Sequence, residues 1–221
     1  MRHILLICVA ALMLASCATT SNTRGSLYSK MYEEKPTTIL VMPPINNTNH
    51  AEAKEYFYSS LSKPLCEKGY YVISPFMALD LLKQESAYDS EMFVGGSQKV
   101  FKDFFGADAV LYTTISKWEK KTALSYIEVS IDYTLKSAST GEILWERTGD
   151  LKVSFSSGNN NGLLGMAIDM ISTTTADKIV AARRCNQFVL QDLPEGKYGP
   201  MHGKDFDVKA GDKVLKGTVK K

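Results

Sequence analysis

Residues 127–135 read Ile-Glu-Val-Ser-Ile-Asp-Tyr-Thr-Leu, with an apolar side chain at every second position and a polar one between. Successive side chains of a strand point to opposite faces, so this register gives one buried face and one wet face, as in an antiparallel sheet. A second such run follows. Ile143, Trp145, Leu151, Val153 and Phe155 are interleaved with Glu146, Thr148, Asp150, Lys152 and Ser154. Residues 137–141 (Ser-Ala-Ser-Thr-Gly) supply a turn between them, and the two runs pair as a long hairpin.

Working outward toward the amino terminus, Ala109 to Trp118 reads as a further strand, entered through Gly106-Ala-Asp108. Before it, Val100, Phe101, Phe104 and Phe105 form a helical stripe, and residues 86–97 lack a period and read as a loop. Phe76, Leu79 and Leu82 share one face of a helix ending near Gln84. Tyr70 to Ser74 is a short strand. Ala53, Phe57, Leu61 and Leu65 recur every four residues, the stripe of an amphipathic helix that Pro64 should kink or end and Gly69 should stop. Thr37 to Met42 is a β-branched, apolar run halted by Pro43-Pro44, a buried strand.

On the carboxyl side, Gly158 to Gly162 is a loop, and a long helix runs from about Leu163 to Arg184 with Met166, Met170 and Ile171 on its apolar side. Phe188-Val-Leu190 is a candidate edge strand. The order predicts an α+β (mixed α/β) fold: about five strands flanked by helices, with a long antiparallel hairpin.

The first residues follow the order of a secretory signal: Arg2, an uncharged apolar run over residues 4–14, then Leu14-Ala-Ser-Cys17. The run falls short of the about 20 residues that span a bilayer as a helix, and fits the apolar region of a signal peptide. Leu14-Ala-Ser-Cys17 resembles the bacterial lipobox, which implies cleavage before Cys17 and acylation of its thiol and new amino group. One acyl chain binds a membrane marginally, whereas several hold it stably. Ala18, rather than aspartate, follows Cys17, which by resemblance to enteric-type lipoproteins implies the outer membrane, most simply its periplasmic side. The expected organisation is a signal peptide over 1–16, a lipidated cysteine and polar tether over 17–35, a globular periplasmic domain over 36–192, and a poorly ordered tail over 193–221. A small hairpin of Phe206-Asp-Val208 with Val214-Leu215 is the alternative for that tail.

Formal net charge is +2 over the 221 residues. Loss of Arg2 with the signal brings it closer still to neutrality, which excludes strong electrostatic attraction to nucleic acid. Cys66 and Cys185 remain after the lipobox. An oxidising periplasm permits one disulfide between them, closing a loop of about 120 residues worth roughly 4–5 kcal/mol if unstrained; two free thiols are the other reading.

Ile39-Leu-Val-Met-Pro-Pro-Ile-Asn-Asn-Thr48, Phe105-Gly-Ala-Asp-Ala-Val-Leu111 and Thr140-Gly-Glu-Ile-Leu-Trp145 together resemble elements of the TolB amino-terminal domain and of CsgG-like lipoproteins. With the lipobox, Pro64-Leu65 and Gly69-Tyr-Tyr-Val-Ile-Ser-Pro75, the chain looks most like a family of bacterial outer-membrane lipoproteins of unknown function that includes a genome-derived Neisseria antigen. The resemblance covers roughly residues 36–185. It implies a sheet flanked by helices and brings no catalytic residue with it.

No catalytic or metal-binding constellation stands out. His50 and His202 are far apart and lack ligand spacing. Gly95-Gly-Ser97 lacks the phosphate-loop pattern, and no serine sits in a G-x-S-x-G elbow. Asn46, Asn47 and Asn49 lie in a loop after the first strand, where sheets of this kind often bind ligands, although a capping or turn role is the expected one and a loop interaction site the alternative. The expectation is a non-enzymatic binding or assembly module without cofactor. Its partners are the membrane, through the anchor, and another envelope protein, as in a secretion or envelope-maintenance complex. A hydrolase of envelope polymers and a self-assembling CsgG-like ring are the alternatives.

Overall fold

Ile39 to Met42 are all fully buried because both faces of the sheet are covered where they lie. Ile39 and Val41 join one core cluster, Leu40 and Met42 another on the opposite face. The computed structural model describes residues 22–121, 124, 126–154 and 175–220. Helices α1 (Arg24–Leu27) and α2 (Ser29–Glu34) precede strands β1 (Thr38–Val41) and β2 (Ile45–Asn46). Helices α3 (Glu52–Ser60) and α4 (Ser62–Glu67), strand β3 (Tyr71–Val72), and helices α5 (Pro75–Gln84), α6 (Glu91–Val94) and α7 (Lys99–Phe105) follow. Next come the long strands β4 (Ala109–Lys121), β5 (Tyr126–Ser137) and β6 (Ile143–Ser154). Helix α8 (Thr175–Val189), a 3-10 turn over Leu190–Asp192 and strand β7 (Val214–Lys220) complete the described chain.

The sheet runs β3-β1-β4-β5-β6-β7, with β2 also pairing β4. β1 is parallel to β3 and β4, β4–β5–β6 is an antiparallel meander, and β7 is parallel to β6. The fold class, the hairpin and the flanking helices are as expected, and seven strands replace about five. On β5 the alternation holds along the whole strand: Ile127, Val129, Ile131, Tyr133 and Leu135 are buried and their neighbours half-buried. Gly141 has φ +75°, the left-handed turn that the glycine permits.

One face carries α3 and α8 over Phe57, Leu61, Trp118, Val129, Tyr133 and Trp145. Asn186 of α8 ties this layer together. Its Oδ1 accepts from Tyr133 Oη at 2.6 Å, and its Nδ2 donates to Ser60 Oγ at 2.9 Å. The other face carries α5 and α7. The Gly106-Ala-Asp108 element also has a physical role. Gly106 ends α7 at φ +67°, and Asp108 Oδ2 accepts from Thr37 N at 3.0 Å and Thr38 N at 2.9 Å, pinning the start of β1.

Several boundaries differ from expectation. The helix expected to kink or end at Pro64 breaks already at Leu61, because Pro64 cannot donate to the carbonyl of Ser60. Residues 86–97 contain α6. Tether residues 22–35 carry α1 and α2, since Tyr28 and Met31 are buried in the core. The last helix runs past Arg184 to Val189, so Phe188 and Val189 are helical rather than strand. Its expected first turns, with Met166, Met170 and Ile171, lie outside the described residues, as do the loop at 158–162 and the signal sequence. The tail expected to be poorly ordered instead adds β7 to the sheet. Lys68–Glu195 (3.1 Å) and Tyr70 Oη donating to Pro194 O (2.7 Å) hold its first part down.

Candidate functional site

Helices α5 and α7 carry more apolar surface than one core can take. Ala78, Leu82 and Phe101 face inward onto Leu40, Met42, Val110 and Tyr112. Phe76, which shares the sequence stripe with Leu79 and Leu82, is 84% exposed. Met77, Leu81, Met92, Val100 and Phe104 are likewise exposed, on α5, α6 and α7. A cavity of about 270 Å³ opens between the helices, lined by Leu81, Leu82, Phe93, Val100, Phe101 and Phe104. Phe93 meets Phe101 edge-on, with centroids 5.2 Å apart.

The groove is held from beneath by buried polar contacts. Tyr112 Oη donates to Gln98 Oε1 at 2.5 Å, and Gln98 Nε2 donates to Phe93 O at 2.9 Å and Gly96 O at 2.7 Å. Ser90 Oγ donates to Pro43 O at 2.5 Å. These contacts fix the α6–α7 connection, and with it the Phe93 wall. The result is an open apolar surface with a fixed polar backing.

Ionisable groups gather elsewhere, at the join between β6 and the tail. Arg147 sits in the inward register of β6, fully buried. Its guanidinium donates to Asp192 Oδ2, Tyr28 Oη and Asp212 O. Arg24 donates from Nη1 to Asp205 Oδ2 at 3.1 Å and from Nε to Asp192 Oδ1 at 3.4 Å, and Gly211 N donates to Asp192 Oδ1 at 3.1 Å. Burial raises the Tyr28 hydroxyl above its ordinary value, so it stays protonated and donates to Asp192. The open cleft beside this cluster, about 530 Å³, is lined by Arg24, Asp192, Lys209 and Asp212. Asp192 is already the acceptor of four groups, so it is poorly placed to act as a proton-transfer group. Among the described residues no group of three or more His, Cys, Asp or Glu is arranged to hold a metal ion.

The residues singled out in the sequence are scattered. Asn46 Oδ1 accepts from Thr48 N at 3.1 Å and Thr48 Oγ1 at 2.8 Å, and its Nδ2 donates to His50 O at 2.9 Å, an Asx-type turn. Asn47 and Asn49 are exposed in the same turn, with Asn47 N donating to Ile115 O at 2.9 Å. His50 and His202 are exposed on different elements. The Cys66–Cys185 disulfide is not formed: Cys66 is exposed on α4, while Cys185 is fully buried on α8 against Tyr133. Joining them would pull a core side chain to the surface. Cys17 lies outside the described residues. Sequence reasoning missed both the groove and the Arg147 cluster. A charge at Arg147 in the apolar register of β6, and apolar residues in surplus on α5 and α7, were the signals.

A family profile described as "Putative lipoprotein GNA1162-like" matches residues 27–192. The chain belongs to the GNA1162-like family. It is 26% identical over 177 residues to the Neisseria meningitidis serogroup B protein named "Putative lipoprotein NMB1124/NMB1162", covering 79% of this chain and 82% of that one. The crystal structure of lipoprotein GNA1162 from Neisseria meningitidis superposes with a TM-score of 0.50 at 27% identity, covering 64% of this chain and 99% of that one. The C-terminal domain of LpoB from Escherichia coli aligns at 21% identity and a TM-score of 0.36, over 57% of this chain and 93% of that domain. The GNA1162-like match ends at Asp192, the acceptor of Arg147, so β7 and the segment leading to it lie beyond it.

Proposed function

We infer that this GNA1162-like protein is a lipid-anchored module of the bacterial envelope that works by holding a protein partner, not by catalysis. The anchor is Cys17, acylated after removal of residues 1–16, and Ala18 directs the protein to the periplasmic side of the outer membrane. The observation that carries the binding role is the α5–α7 groove. Its partner supplies an apolar segment, such as the apolar face of an amphipathic helix, with spaced side chains entering between Leu81 and Phe104. A role within a secretion or envelope-maintenance complex follows from that location and that surface.

In-cell photocrosslinking tests it. A crosslinking residue at Met77 or Phe104 should trap one discrete protein, and the same residue at Lys63, exposed on α4, should not. Absence of any adduct from the groove, together with turnover of an envelope polymer by the purified protein, would replace this reading with the hydrolase. Cys17→Ala should move the protein to the soluble fraction.

A further inference from the structure

The described chain begins at an exposed residue, Asn22, clasped to the tail. Asn22 O accepts from Ala210 N at 2.9 Å, Arg24 N donates to Val208 O at 2.8 Å, and Gly25 N donates to Phe206 O at 2.9 Å. Thr23 and Lys209 form an antiparallel bridge. The point where the chain leaves toward Cys17 is therefore fixed against residues 206–210.

That surface has a mixed character. Phe206 is 47% exposed and Val208 41%, with Met201 exposed nearby in the chain. Phe206 is held rigidly: its ring lies over Gly25, where a Cβ would come within 2.4 Å, and meets Tyr32 edge-on at 5.2 Å. Lys204 and Lys209 are exposed beside these groups, and neither forms an ion pair among the described residues. Asp205 is buried and paired with Arg24, which leaves Asp207 as the exposed acid of the segment. Aromatic and aliphatic groups flanked by lysines suit the boundary between lipid headgroups and acyl chains. There the apolar groups enter and the lysines meet anionic headgroups.

We propose that the Met201–Lys209 segment, Phe206 and Val208 foremost, is a second membrane contact that seats the domain on the headgroup layer of the bilayer holding Cys17. This rests on the anchoring reading above. Cys17 is five residues from Asn22, and five residues reach at most roughly 18 Å. The acylated end therefore keeps Phe206 and Val208 within a short distance of the bilayer. On the far side of the sheet, the α5–α7 groove stays free for its partner.

Tryptophan fluorescence reads this directly. Trp118 and Trp145 are the chain's own tryptophans and both are buried, so they give a constant background. The full-length protein, purified from membranes with Val208→Trp, is placed on vesicles of phosphatidylethanolamine and phosphatidylglycerol containing a lipid brominated near the headgroup. The added tryptophan should shift to shorter wavelength and lose emission to the bromine. Phe76→Trp, exposed on α5, should do neither. Lys204→Glu with Lys209→Glu should reduce the loss at Val208→Trp, and Phe206→Trp serves as a second reporter if Val208→Trp misfolds. Unquenched emission at both positions, on protein that floats with the vesicles, overturns the second contact and leaves the anchor standing. Protein that fails to float overturns the anchor, and this contact with it. A blue shift that appears only when a delipidated envelope protein fraction is added assigns the surface to a protein and overturns the lipid contact.

Discussion

Arg147 and Asp192 form an ion pair in which the guanidinium is wholly buried and the carboxylate nearly so, joining β6 to the start of the tail. A buried charge that loses its partner keeps its desolvation cost. Asp192→Ala should therefore destabilise the protein by about 3–5 kcal/mol, measured by urea unfolding. Arg147→Met removes the charge from the core and leaves Asp192 with Arg24, so its cost should be smaller. Equal costs for the two variants would show that the pair contributes through shape and not through charge.

Cys66 and Cys185 should react very differently. Cys66 is exposed, whereas burial pushes the Cys185 thiol up to about 12. A thiol reagent at pH 8 should label Cys66 alone in the native protein, and both after unfolding, with no reductant needed. Recovery of a Cys66–Cys185 linked peptide by mass spectrometry would contradict this.

Stability should fall in alkali. Burial raises Cys185 from 9.0 to about 12 and holds Tyr70 and Tyr133 well above 10.0. For each group the fold favours the protonated form. The stabilisation is complete below the unfolded value, about 9 for the thiol and 10 for the phenols, and is lost as pH rises through the folded values. Thermal melts from pH 7 to 11 should show a flat region up to about 9 and a declining Tm beyond it. A Tm that rises across that range would reverse the sign.

Gly149 sits where α8 crosses β6, and a Cβ there would lie 2.7 Å from Val189 Cγ2. Gly149→Val should cost about 1–3 kcal/mol by overpacking despite the better strand propensity of valine. Val189→Ala should recover part of that loss in the double variant, read as a coupling energy from unfolding curves.

Phe104→Asp should leave stability within about 0.5 kcal/mol of the parent, because the side chain is exposed. The same variant should abolish the adduct trapped from Met77. Loss of the adduct together with a large loss of stability would mean that Phe104 supports the fold instead.

The alternation along residues 127–135 was enough to place the hairpin, because each buried side chain there meets a core and each partner meets solvent. Arg147 hid in the same pattern. Its register reads as a defect until Asp192, 45 residues later, comes beside it, and no periodicity encodes that pairing. β7 was hard to see for the opposite reason. Val214-Leu-Lys-Gly-Thr-Val-Lys220 lies at the edge, mostly exposed on both sides, so it has little alternation to show. The groove on α5 and α7 was not legible, because an exposed phenylalanine and a buried one look alike in a helical stripe. Asn46 makes the turn that its residue type and position favour.

Docking of β7 onto the sheet closes the free edge of β6. Until it arrives, β6 has an open edge, and Arg147 lacks its Asp212 partner. A chain cut short after Asp192 would present β6 as an unpaired strand to its neighbours, a template for pairing between molecules.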